Sequence, residues 1–146
     1  MKEVFRAITK NSKETERVAE IFAGEILKLK TKKAIVVGLE GELGAGKTTF
    51  AKGFARGLGI REEMKSPTFI LMRVFRTKKK NFFHLDAYRD VLDFSEYLKN
   101  NENILLIEWS NRAKKFLPKS YFRFVLRSPT SRAPRSRTSR EIILYA

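Results

Sequence analysis

Ala34–Leu39 (AIVVGL) and Ile104–Ile107 (ILLI) are two unbroken apolar runs in the chain. Runs this short, rich in branched side chains and free of charge, read as strands buried on both faces of a parallel sheet. Ahead of the first run, Val18, Ile21, Phe22, Ile26 and Leu29 recur at helical spacing with Lys, Arg and Glu on the other face. Asn11 and Ser12, followed by Glu14, supply an N-cap, so an amphipathic helix is expected to about Leu29. Residues 4–9 (VFRAIT) read as a short edge strand before it.

Further along, Thr48–Leu58 suits a second helix, closed by Gly57 and Gly59 where a left-handed cap is wanted. Ser66-Pro67 breaks the chain. Thr68–Phe75 and Asn81–Asp86 then read as a hairpin, because residues 76–80 between them are too few for a crossover helix. Asp90–Asn101 reads as helical, and Tyr121–Leu126 and Glu141–Tyr145 as late edge strands. Between those two, residues 128–139 are rich in Ser, Pro and Arg and are expected to form a mobile basic loop. A length of 146 residues fits one domain.

Charge changes the picture. Lys and Arg number 31 against 16 Asp and Glu, a net +15, and a field of that sign attracts phosphate in nucleotide, nucleic acid or anionic lipid. Ten of the cations, and no acid, fall between Arg112 and Arg140. Such a run is either a solvated face or a surface for an acidic or phosphate-rich partner. The absence of cysteine excludes disulfides, thiolate catalysis and cysteine metal sites, and His84 alone cannot make a histidine-ligated centre. No segment resembles a signal peptide or approaches the ~18 apolar residues of a membrane span, so a cytoplasmic location away from membranes is expected.

The decisive motif is GELGAGKT, Gly41–Thr48, which matches G-x-x-x-x-G-K-[ST] in full. Its setting fits as well, since it comes after AIVVGL and opens the helix TTFAKGFARGL. Glycines at 41, 44 and 46 allow positive φ and let backbone N–H groups close round a phosphate. Lys47 is placed to reach the β and γ phosphates, Thr48 to ligate Mg²⁺, and the helix N-terminus adds its positive end. The implied fold class is α/β and P-loop NTPase-like: a mostly parallel central sheet flanked by helices, with an antiparallel hairpin and late edge strands.

Hydrolysis of ATP needs a second anionic anchor and an oriented water. Glu108, directly after ILLI, stands where open α/β sheets place their ligand crevice, and it suits the metal or the attacking water. Thr68, in Ser66-Pro67-Thr68-Phe69, fits either a turn or a segment that senses the γ phosphate. In His84-Leu85-Asp86-Ala87-Tyr88-Arg89, strand alternation puts His84, Asp86 and Tyr88 on one side. Asp86 is the functional candidate there, as metal ligand or water orienter, and His84 reads as a core histidine. Trp109 suits a buried aromatic, a ring near the site or a partner contact.

Taken together, GELGAGKTTFAKGFARGLGI, SPTF, HLDAYR and IEW resemble the successive motifs of the TsaE family of small bacterial P-loop ATPases. The resemblance spans about Asn11 to Trp109. It implies a Mg²⁺-dependent ATPase that supports threonylcarbamoyl modification of the adenosine next to the tRNA anticodon. In that family hydrolysis does not transfer the group itself; it supports turnover of an assembly with the TsaD and TsaB proteins, and tRNA is met through that complex. The resemblance further implies that Leu43, Gly44, Ala45, Gly46, Lys47, Thr48 and Thr49 hold the nucleotide. Thr48 and Glu108 would hold magnesium, Asp86 and Thr68 would belong to the nucleotide-responsive region, and Ser12 and Arg140 would neighbour the base. The stretch SPTSRAPRSRTSR is more basic than the family leads one to expect. Two other functions use the same loop: a small P-loop phosphotransferase, and a nucleic-acid-binding module that also binds ATP.

Overall fold

The computed structural model describes residues 1–63, 71–129 and 137–146. Strand β1 (Glu3–Thr9) leads into helix α1 (Ser12–Ile26), and β2 (Ile35–Glu40) leads through the Gly-rich loop into α2 (Lys47–Gly57). The hairpin β3 (Met72–Arg76) and β4 (Asn81–Asp86) comes next, then β5 (Asn103–Glu108), β6 (Phe122–Arg127) and β7 (Arg140–Tyr145). All seven strands join one sheet in the order β1-β7-β6-β2-β5-β4-β3. The four central strands β6, β2, β5 and β4 run parallel, while β3 on one side and β7 and β1 on the other pair antiparallel.

The two apolar runs thus lie side by side at the centre, and every residue of β5 is buried. The late strands form as a pair but not at an edge: β6 lies between β2 and β7, and β7 between β6 and β1. The edges belong to β1 and β3. Strand β1 covers the outer side of β7 because Glu3–Thr9 is long enough to pair along its whole length.

Both α-helices pack on one face, over Ile35, Val37, Leu39, Phe82, Ile104, Leu106, Phe124 and Leu126. Their approach is close because α2 carries glycines at 53 and 57, one turn apart. A Cβ on Gly53 would stand 2.0 Å from the Glu16 carbonyl, and one on Gly57 2.4 Å from that of Glu20. Gly57 is therefore a packing residue, and the left-handed turn after α2 falls to Gly59 (φ +87°) alone. The same packing narrows the buried stripe of α1 to Thr15, Ala19, Ala23 and Ile26. Ile21 and Leu29 are exposed at 52% and 42%, and the helix ends three residues before Leu29. Its start is as expected: Asn11 Oδ1 accepts from Glu14 N, and Glu14 Oε1 accepts from Lys10 N.

Among the described residues the opposite face is covered without an α-helix. Asp90–Asn101 forms a single 3₁₀ turn, Ser95–Lys99, in place of the helix its composition suggests. Asp90 and Asp93 turn their carboxylates onto the N–H groups of Val91 and Ser95, local bonds that compete with a helical ladder. Val91, Phe94, Tyr97 and Leu98 nonetheless pack on Val36, Leu105 and Ile107, together with Phe116 and Leu117 from the segment after β5. Among the described residues no helix is long and apolar enough to cross a membrane.

Candidate functional site

The parallel strands β2, β4 and β5 end on one side of the sheet, and the candidate site is built from the residues at and just beyond those strand ends. After β2 the loop turns through Gly41 (φ +156°), Gly44 (φ +78°) and Gly46 (φ +100°), positive φ at all three as expected. Gly41 is needed for space as well, because a Cβ there would meet the Leu126 carbonyl at 2.5 Å. Gly46 caps α2, so the free N–H groups of its first turn face the loop. Lys47 is buried, and its Nζ donates to the carbonyls of Gly41 (2.5 Å) and Glu42 (2.9 Å). Desolvation pulls its ammonium below the ordinary lysine value, against the attraction of Glu108, Asp86 and Glu42.

Two carboxylates face this lysine. Asp86 ends β4, Glu108 ends β5, and the two are register partners across the parallel ladder. Asp86 is half-buried and accepts from the Tyr88 backbone N–H at 2.9 Å. Burial pushes its carboxyl above the ordinary aspartate value; the Tyr88 bond works against that shift and the nearby Glu108 works with it. Glu108 is fully buried, and its Oε2 lies 2.6 Å from His84 Nε2. His84 is buried too, stacked on Phe82 at 6.2 Å between centroids, so it is a core histidine as expected. What the sequence did not reveal is that it touches the candidate catalytic carboxylate.

Trp109 forms one wall. Its φ of +60° is the single positive value for a non-glycine among the described residues, a conformation unusual for a bulky side chain and worth on the order of 1–3 kcal/mol of strain. The indole lies 4.2 Å from Lys47 Nζ and 4.7 Å from the Tyr88 ring. Arg112 stacks on both rings and donates to the Tyr88 carbonyl. Between these walls is an open cleft of about 600 Å³ lined by Leu43, Gly44, Gly46, Lys47, Thr48, Thr49, Asp86 and Glu108, together with Ser12, Thr138 and Arg140. Tyr88, Arg89 and Trp109 also line it; the motifs HLDAYR and IEW were the signal for them. Of the residues singled out from the sequence, only Thr68 lies outside the described residues, together with the rest of Ser66–Phe69 and most of the basic stretch, 130–136.

The donors on offer suit a hard cation: the Thr48 hydroxyl and two carboxylates, all oxygen. Among the described residues no three His, Asp or Glu side chains converge to cage an ion. The Thr48 hydroxyl and the two carboxylates are a donor set that fits Mg²⁺ carried on nucleotide phosphates, which takes one or two protein carboxylates and its other ligands from phosphate and water.

A strand running into a Gly-rich loop and helix, with acids at the carboxyl ends of the neighbouring parallel strands, defines a P-loop NTPase-like α/β protein. The family model for threonylcarbamoyl adenosine biosynthesis protein TsaE matches residues 9–138, and the chain belongs to the TsaE family. It is 39% identical over 111 residues to the tRNA threonylcarbamoyladenosine biosynthesis protein TsaE of Haemophilus influenzae, covering 71% of this chain and 70% of that one. The protein of the same name from Bacillus subtilis is 36% identical over 124 residues, covering 82% and 75%. The crystal structure of Bacillus subtilis YdiB matches with a TM-score of 0.78 at 30% identity, over 99% of this chain and 86% of that one.

Proposed function

We propose that this protein binds ATP with Mg²⁺ in the cleft above the sheet and hydrolyses it in support of tRNA threonylcarbamoyladenosine formation, acting on an assembly with TsaD and TsaB in the cytoplasm. The observation that carries this reading is the register pair Asp86 and Glu108 set opposite Lys47 of a complete phosphate loop. The N–H groups of residues 43, 44 and 46–48 at the α2 N-terminus supply the anion site, and Lys47 exchanges its two loop carbonyls for phosphate oxygens. Ser12 and Arg140, which line the same cleft, are the proposed neighbours of the base. Thr68 joins the nucleotide-responsive region through its motif alone.

When bound, Mg²⁺ neutralises charge that develops between the β and γ phosphates. Glu108, with Asp86 beside it, would orient the attacking water or, with Thr48, would hold that ion. Arg140 and Arg112 are already engaged with carbonyl groups. No arginine of the sequence sits in a motif that marks it as an internal finger, and a site without one is slow in this class of enzyme. The partner assembly is the proposed source of the missing group, and the basic run from Arg112 to Arg140 draws it in by charge.

The test is ATP turnover by the protein alone and with TsaD and TsaB from the same organism. A low basal rate that rises on addition of both is expected. A rate indifferent to them, or a requirement for a phosphate acceptor other than water, would reject the proposal.

A further inference from the structure

Glu108 is only 3% exposed, and a buried carboxylate needs donors. Among the described residues no hydrogen bond or ion pair joins it to Lys47, whose Nζ donates to the carbonyls of Gly41 and Glu42. His84 is one such donor, with Nε2 2.6 Å from Oε2. With Nε2–H as the donor, Oε2 accepts a hydrogen bond from a ring that the core holds in place. Nδ1 is buried and has no hydrogen-bond partner. Among the described residues the contact with Oε2 is the one side-chain hydrogen bond that His84 makes.

It is well placed to hold. His84 sits on an interior strand in register with Leu106, and its ring lies within 10° of parallel to Phe82, so its position is set by the core rather than by the cleft. A glutamate has three side-chain torsions, and a misplacement of about 1 Å can lower a rate about a hundredfold. We propose that His84 is a positioning residue: it fixes Oε2 of Glu108 and so presents the other oxygen to the nucleotide cleft that Glu108 lines. This role rests on the ATPase reading above.

Two measurements test it. In the first, His84→Phe keeps a ring against Phe82 but removes the N–H, while His84→Gln offers an amide N–H to the same oxygen. Hydrolysis of bound ATP is expected to slow about 10–100-fold in the Phe variant with the MgATP dissociation constant nearly unchanged, and to recover in part in the Gln variant. A Phe variant that turns over at the parent rate would overturn the positioning role. The second measurement needs no variant, so it stands even where a substitution prevents folding. The chain has one histidine, and ¹⁵N-histidine labelling gives a single imidazole spectrum. The Nε2–H tautomer is expected, and the Nδ1–H tautomer would overturn the hold on Glu108. Failure of the unaltered protein to bind or hydrolyse ATP is a separate result, which rejects the ATPase reading.

Discussion

Arg140, the first residue of the last strand, holds Ala45 in the middle of the phosphate loop: its Nε donates to the Ala45 carbonyl at 2.8 Å. The same guanidinium donates to the Gly44 carbonyl at 2.6 Å. These two oxygens are turned to Arg140, and the Ala45 N–H donates to the Glu42 carbonyl at 3.0 Å, which leaves the loop's other N–H groups for an anion. Arg140→Ala is expected to raise the ATP dissociation constant about tenfold, in keeping with hydrogen bonds to a charged group. Arg140→Lys should rescue it poorly, because one ammonium cannot reproduce the planar fork. Calorimetric titration of both variants checks this, and unchanged affinity would mean that the loop keeps its shape unaided.

Lys47 supplies the loop's side-chain cation. Lys47→Ala is expected to weaken MgATP binding about 10–100-fold, the scale of a charge-assisted hydrogen bond or two, while the far-ultraviolet circular dichroism stays that of the parent. The contrast between lost affinity and retained fold is what assigns the residue to the ligand.

Glu108→Gln keeps the shape of the side chain and an oxygen for His84 Nε2–H to reach. Nucleotide affinity should change little, and single-turnover hydrolysis should drop by about two orders of magnitude or more as the charge that anchors metal or water is removed. Near-parental turnover would move catalysis to Asp86.

Burial raises the Asp86 carboxyl above the ordinary aspartate value, which has a direct consequence for stability. As pH rises through the ordinary aspartate range the unfolded chain releases its proton first, so the folded state loses stability there and keeps that deficit at neutral pH. Asp86→Asn should therefore raise the melting temperature of the nucleotide-free protein at pH 7 by about 1–4 °C, with the gain fading as pH falls towards that range. The same variant should lose ATP turnover. Equal melting temperatures at pH 7 would mean that the carboxylate is solvated without penalty.

Two glycine substitutions separate conformational freedom from close packing. A Cβ on Gly24 in α1 meets nothing within 4 Å, so Gly24→Ala should stabilise by about 0.5–1 kcal/mol. A Cβ on Gly53 meets the Glu16 carbonyl carbon at 2.6 Å and its oxygen at 2.0 Å. Gly53→Ala should destabilise by about 1–3 kcal/mol or more, because α1 and α2 have to move apart. Urea midpoints of the two variants should fall on opposite sides of the parent.

The segment from β2 through the loop to α2 was legible in the amino-acid order because its determinants are local. A branched apolar run, three glycines at positions demanding positive φ, and the Lys-Thr pair each act within a few residues. The same holds for the Asn11 cap and for the hairpin of β3 and β4, whose connection is too short for any other pairing. Glu108 and Asp86 could be singled out because each ends a strand run. Their being neighbours could not, since that depends on β4 and β5 pairing in parallel with Asp86 opposite Glu108, a register set by the whole sheet.

Other features that local order left open have the same origin. Asp90–Asn101 has enough apolar residues for a helix, yet the face of the sheet it covers and its own Asp–backbone bonds leave it one 3₁₀ turn. Gly57 looks like a helix terminator until α1 is packed against it. His84 reads as a core residue and is one, but its second role is a contact with a carboxylate 24 positions away. Arg140 reaches the phosphate loop across 95 positions, because β7 starts at the side of the sheet where the parallel strands end. Backbone conformation and burial periodicity are written within a few residues, and for that reason the nucleotide loop and most of the strands could be read from amino-acid order. Contacts between residues far apart in the chain exist only once strand order and register are established, so it took the folded sheet to settle which side chains share the cleft.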